Sequence, residues 1–472
     1  MTAVSDPTQL TLREVGARIA NRELGSVEVT EATLRRIEEV DPRLNAYVHV
    51  AGEQALAAAK AADGAIAAGY HLGPLHGVPM ALKDLVAVRG QVSSAGSKIL
   101  QDLIPAEDAT IAARLRAAGA IFVGRLNMHE FAYGVTTNNP HYGAARNPWD
   151  TDRTPGGSSG GSGAAVAARL CFAAIGTDTG CSIRLPSAFN GIAGIRPSIG
   201  RVSNHGITPL AWTLDTAGPM CRTVEDCALM LAAIAGYDAR DRQTANVPVP
   251  DYATELDRGL EGVRIGVVED FTLSGLQIGV ERAVAGSIGV LESAGAQIRD
   301  VALRDLEPSI SALLTVDIAE PSAYHAAWLR ERPGDYGDDV RTLLEAGELY
   351  LATHYIQAQR YRTVLRDQFT DLLRDVDAIL TPTVPFTAPP VGTTEVRLES
   401  GEELAIIPAV MRYNALPPLV GMPALSVPCG FSADGLPVGM QLIGRAFDEG
   451  TLFRIGHGYQ QATDWHRKAP PL

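Results

Sequence analysis

The 472-residue chain contains no run of about 18 uninterrupted apolar residues, no C-x-x-C pair and no excess of basic residues. Without the apolar run no membrane span is expected, and the polar opening MTAVSDPTQLTLREV has no apolar core of the kind a signal peptide carries. Five cysteines, Cys171, Cys181, Cys221, Cys227 and Cys429, are odd in number and unclustered. They read as reduced thiols of a cytoplasmic protein rather than a disulfide framework or a zinc site. Acidic residues outnumber Lys and Arg by 54 to 40, giving a net charge of -14. That balance argues against a nucleic-acid or anionic-membrane face and leaves small neutral or cationic substrates. Histidine is scarce as well: none lies within about twenty residues of the adjacent thiol and hydroxyl of Cys181 and Ser182.

What is present is an alternation of helix and strand patterns. SVEVTEATLRRIEEVDPRLNAYV carries Val27, Leu34, Ile37 and Val40 at helical spacing, with Ser26 or Thr30 as N-cap and Asp41-Pro42 as stop. DATIAARLRAAG predicts a helix and AIFVG a buried strand, while GVRIGVV, ERAVAGSIGVLESAG and AQIRDVAL follow as a βαβ pattern. ALSVPCGF and PVGMQLIG, either side of SADGL, predict a hairpin. The fold class expected is α/β, a mixed central sheet with helices on both faces. One domain over 1–472 is expected: a helical segment 1–70, a core 72–230, a helical substrate-side region 300–370, and a segment 375–465 that completes the sheet.

Three stretches can carry chemistry. Thr154 to Gly163, TPGGSSGGSG, is dense in glycine, which permits positive φ and exposes amides. It lacks the Gly-Lys-Ser/Thr ending of a phosphate-binding loop, and the Ala-rich helix after it argues against a linker. In TDTGCSIRLP a strand runs into a turn and a short helix, a geometry that places a hydroxyl or thiol beside unpaired amides. Taken alone this is also what an ordinary strand–helix turn looks like. Lys83 ends the apolar strand of GVPMALKD. A strand-end lysine is usually solvated, but a buried one loses its charge and becomes a base.

In that order, G-x-P-x-x-x-K-D, P-G-G-S-S-G-G-S and G-T-D-T-G-x-S-I-R-x-P resemble the amidase signature family of serine hydrolases. The resemblance extends to GIAGIRPSIGRVSNHGITPL, GMPALSVPCGF and LPVGMQLIG, and so covers most of the chain. It implies a Ser-Ser-Lys unit: Ser182 as the acylated nucleophile, Ser158 as a bridging serine on a cis peptide, and Lys83 as the base. The amides of Thr179, Gly180, Cys181 and Ser182 would bind the oxyanion. No cofactor or metal is implied, and Arg184, His76, His129 and His205 read as structural. One departure stands out: Cys181 occupies a position that is usually glycine in the family. It is either a tolerated small side chain or a thiol that lines the pocket or competes as nucleophile. If the turn needs positive φ there, Cys181 also carries strain.

The resemblance leaves two branches. AEPSAYHAAWLRERPGDYGDDVRTLLEAG looks like stand-alone aryl acylamidase- and urethanase-type amidases, which act on aryl or short acyl amides, with carbamates, hydrazides and esters as further substrates. NMHEFAYGVTTNNPHYGAARNPWD has the general shape of the alternative, the glutaminase (A-type) subunit of a tRNA-dependent amidotransferase. On the first branch the expected partners are a small-molecule substrate and water, in a monomer or homodimer without nucleic acid or membrane. Tyr133, Gly134, Val135 and Thr136 correspond to a loop that lines the acyl pocket in the family. Trp212, Tyr324 and Trp328 are candidates for an apolar wall, although an aromatic of this kind is more often plain core.

Overall fold

The computed structural model describes residues 6–399 and 401–472; the first five residues of the expected N-terminal segment lie outside them. Its central sheet uses eleven strands: β1 (Tyr47–Val50), β2 (Pro79–Lys83), β3 (Ile121–Leu126), β4 (Ala173–Asp178), β5 (Ala193–Arg196), β6 (Thr216–Cys221), β7 (Arg264–Val268), β8 (Gln297–Val301), β9 (Ala378–Pro382), β10 (Ala424–Phe431) and β11 (Pro437–Gly444). Their spatial order is β1-β3-β2-β4-β6-β5-β10-β11-β9-β7-β8. Parallel pairs β2–β3, β2–β4, β9–β7 and β7–β8 mix with antiparallel ones, among them β4–β6, β5–β10 and β10–β11. The sheet is therefore mixed, as the alternating pattern implies.

Side chains of a strand point alternately to opposite faces, and the core divides accordingly. Met80, Leu82, Ala378, Leu380, Leu425 and Val427 join one large apolar cluster. Their neighbours Ala81, Ile379 and Ala424 fall into two others. Helices cover both faces: Ile278–Ser293 contributes Val280, Val284 and Leu291 to the first cluster. Gly160–Ala167 supplies Ala164 to Ala167 on the other side. Lys83 falls in line with Ala81, so it faces the side on which the Gly/Ser-rich loop and its helix lie.

The first expected helix runs Ser26–Leu44, but both ends differ from the reading above. Gly25 takes the N-cap position, and the amides of Ser26 and Val27 are capped from a distance by the Asp63 carboxylate, at 2.6 and 3.1 Å. Ser26 Oγ instead donates to the Gly77 carbonyl. At the other end the helix passes through Pro42 and stops at Asn45 in the left-handed region, where the Asp41 carboxylate accepts from the Ala46 amide. The expected βαβ unit and hairpin form as read, β7–β8 in parallel register and β10–β11 antiparallel. Among the described residues no helix is long and apolar enough to cross a membrane.

Candidate active site

Lys83 is fully buried at the end of β2, and its Nζ lies 2.7 Å from Ser158 Oγ and 2.9 Å from Thr177 Oγ1. Burial pulls its pKa down to about 7, against the opposing pull of Asp215, Asp178 and Cys181. The ammonium thus titrates near neutrality and finds hydroxyl oxygens, not a carboxylate, as its nearest partners.

Ser158 sits on a cis peptide bond after Gly157. The loop is held there from several directions: the His129 amide donates to the Ser158 carbonyl, Ser159 Oγ donates to the Thr177 carbonyl, and the Ser159 amide donates to the Ser182 carbonyl. Glycine is required for space as well as conformation. Gly156 has φ +78°, and a Cβ on Gly161 would come 2.3 Å from the Asn127 carbonyl oxygen.

After β4 the chain turns through Thr179, Gly180, Cys181 and Ser182 and enters a helix at Arg184–Asn190. Among the described residues none of these four amides donates a hydrogen bond within the protein, whereas the next two, of Ile183 and Arg184, donate to Asp178 Oδ2. The turn rests on a buried ion cluster. Arg184 contacts Asp178 at 2.9 Å and also donates to the Gly180 and Asn414 carbonyls, and Arg196 meets Asp178 at 3.2 Å. Both arginines hold the Asp178 carboxyl down at about 2 despite complete burial. Arg184 is thus the ion-pair residue the sequence suggests.

Cys181 is buried, its Sγ 3.8 Å from the Gly157 carbonyl, and its φ is not in the left-handed region. No strain follows from a side chain at this position. Burial pushes its thiol well above the ordinary range, so a thiolate is scarce at neutral pH. Ser182 Oγ and Ser158 Oγ are not hydrogen-bonded to each other in this structure, where Ser158 Oγ is held by Lys83.

Ser182 opens on a cavity of about 230 Å³. Tyr133, Gly134 and Val135 line it, together with Thr179 to Ser182. Thr136 does not; its hydroxyl lies 3.5 Å from His129 Nδ1. Trp212, Tyr324 and Trp328 are also outside the lining. Trp212 is 64% exposed and borders a neighbouring cavity, while Tyr324 and Trp328 stack edge-on against each other beside His325. The apolar wall comes instead from Leu314 and Ile318 of helix Ser309–Glu331, Leu343 of Asp338–Gly347, and Ile407 and Met411 of Ile406–Asn414. Sequence reasoning missed these, and also Thr177 and Asp317. The signal for Asp317 was an acid inside the apolar helical run SALLTVDIA. His129 bonds Asp339, His205 lies 3.5 Å from Glu107, and His76 accepts from the Leu72 amide; none of the three lines the cavity.

The amidase family model matches residues 28–453. The A-type subunit of the glutamyl-tRNA(Gln) amidotransferase of Roseiflexus sp. (strain RS-1) is 42% identical over 488 residues, covering 98% of this chain and 98% of that protein. Among solved structures, a bacterial aryl acylamidase of the amidase signature enzymes superposes with TM-score 0.89 at 28% identity, covering 97% of this chain and 98% of that one. The corresponding A-type subunit from Thermotoga maritima superposes with TM-score 0.80 at 32% identity, covering 96% and 94%.

Proposed function

The chain belongs to the amidase signature family, and from that premise we propose that it hydrolyses amide C–N bonds through an acyl-enzyme on Ser182. The observation that carries this reading is the buried Lys83 Nζ, 2.7 Å from Ser158 Oγ and titrating near neutrality. Neutral Lys83 takes a proton from Ser158 as Ser158 takes one from Ser182, and Ser182 Oγ adds to the substrate carbonyl. The oxyanion forms against the unpaired amides between Thr179 and Ser182. Run in reverse, the relay delivers the proton to the leaving amine; water then repeats the cycle on the ester and regenerates Ser182.

Two observations bear on the branch and point in different directions. The sequence relatives favour the alternative: the A-type component of the amidotransferase matches at about two-fifths identity along nearly the whole chain. On that second reading Ser182 would release ammonia from glutamine within an assembly. The cavity favours a stand-alone amidase, because its lining holds no Lys, Arg or His among the described residues to receive the carboxylate of free glutamine. The lining is thus what supports the stand-alone reading, with amides of a largely apolar acyl group as substrates, while the sequence relatives support the amidotransferase alternative.

Both readings meet in one experiment. The purified chain is incubated with chromogenic anilides, p-nitrophenyl esters, a carbamate and L-glutamine, and intact mass is read for an acyl adduct. We expect turnover of anilides by wild type and Cys181→Gly. Ser182→Ala should give no adduct and a loss on the order of 10⁴-fold or more. An adduct on Ser182→Ala moves the nucleophile to Cys181. Turnover of glutamine alone, and only with added partner proteins, establishes the amidotransferase reading instead.

A further inference from the structure

The acyl cavity contains a carboxyl group that the relay above does not use. Asp317 lies in the middle of helix Ser309–Glu331, three residues after Leu314 and one before Ile318, so all three share the face that lines the cavity. The residue is 8% exposed, its Oδ1 is sealed from solvent, and among the described residues neither carboxyl oxygen has a hydrogen-bond partner. The charged groups that act on it are Asp215 and Glu320, both acidic. The same lining holds a second unpartnered polar atom, the buried Tyr133 hydroxyl, within electrostatic reach of Asp317.

A buried carboxyl with no partner is costly, and native structures seldom keep one without a reason. Here the charged groups that act on Asp317 are both acidic, and a cation or strong hydrogen-bond donor is the counterpart that would complement it. We propose that Asp317, with Tyr133 beside it, is a specificity-determining residue that receives a protonated amine at the far end of the substrate's acyl group. The inference rests on the amidase reading and narrows its substrate class to amides whose apolar acyl chain ends in an ammonium. The ammonium would supply the counter-charge that no side chain among the described residues of the lining provides, and the apolar lining would hold the methylenes between it and the scissile carbonyl. Burial and the two neighbouring acids push the free Asp317 carboxyl well above its ordinary range, so binding a cation also restores its charge.

The test compares ω-aminoacyl 4-nitroanilides of four to seven acyl heavy atoms with their isosteric hydrocarbon anilides, in which a methyl replaces the ammonium. At the best chain length we expect kcat/KM for the amine to exceed that of its isostere by about 100-fold in wild type. In Asp317→Asn and Asp317→Leu that ratio should fall to about 3 or below, and Tyr133→Phe should lower it to a lesser degree. A ratio is independent of the fraction of active enzyme, and the wild-type ratio decides even if the Asp317 variants fail to fold. Preference for the hydrocarbon at every length, or a ratio that survives both Asp317 substitutions, overturns the inference and leaves the amidase reading standing. No turnover of either series overturns both.

Discussion

Lys83 converts the proposed relay into a pH profile. Desolvation is the largest influence on it and favours the neutral amine, while Asp215, Asp178 and Cys181 pull the other way; the balance lies at about 7. Below that pH the lysine is an ammonium and cannot accept the Ser158 proton, so activity should rise with pH through the folded value and then level off. With an uncharged anilide, kcat/KM should increase roughly tenfold from pH 6 to pH 8. A rate that falls across pH 7 to 9 in folded protein would rule out lysine as the base. Lys83, Ser158 and Ser182 were legible in the sequence through the resemblance of their ordered motifs to the amidase signature family; taken alone, the stretches also read as a solvated strand end, a tight turn and an ordinary strand–helix turn. Asp317 and Thr177 were not, because their significance depends on which distant residue they face. The Cys181 thiol shows the same limit: its burial, which disarms it, comes from the Gly157 loop and the helices over the cavity.

At the scale of the element, the turn between β4 and helix Arg184–Asn190 depends on Asp178. Its carboxylate caps the amides of Ile183 and Arg184 and pairs with two fully buried guanidiniums. Asp178→Asn leaves Arg184 and Arg196 short of their counter-charge, and removing one partner of such a cluster costs about 3–5 kcal/mol. Urea unfolding at pH 7 should show a loss of that order. The folded pKa is depressed to about 2 from 3.8. The charge contributes fully above the unfolded value and is lost as pH falls through the folded one. The stability gap between wild type and variant should therefore narrow between pH 4 and pH 2; a gap constant over that range would show that the carboxylate charge is not what holds the turn. Elements of this kind were readable where capping is local and misread where it is not. The cap at Ser26 comes from Asp63, 37 residues away. The aromatic wall expected from Trp212, Tyr324 and Trp328 failed for a similar reason: helical spacing gives a face, not what the face meets.

The strand order carries the argument to the whole molecule. The alternating pattern predicted a mixed sheet, the βαβ unit of β7 and β8 and the hairpin of β10 and β11, since those depend on neighbours in sequence; it did not pick out β1, β5, β6 or β9. It did not predict that β10 and β11 would insert in the middle, between β5 and β9, which are some 180 residues apart in the chain. Through β5 and β6 this hairpin joins the half of the sheet that carries Lys83 and Ser182 to the half formed by β9, β7 and β8. All but one of its sixteen strand residues are buried. Gln441, within it, accepts from Arg184 and donates to the Thr381 hydroxyl and the Tyr413 carbonyl. A chain ending at Val420 keeps every residue of the proposed relay but leaves β5 and β9 with unpaired inner edges, along which backbone groups and apolar side chains are exposed. We expect such a chain to show no cooperative urea transition and no acyl adduct on Ser182. If it instead unfolds cooperatively and still acylates, residues 1–420 fold without the hairpin, and the continuity of the sheet across β10 and β11 is not what holds the relay in place.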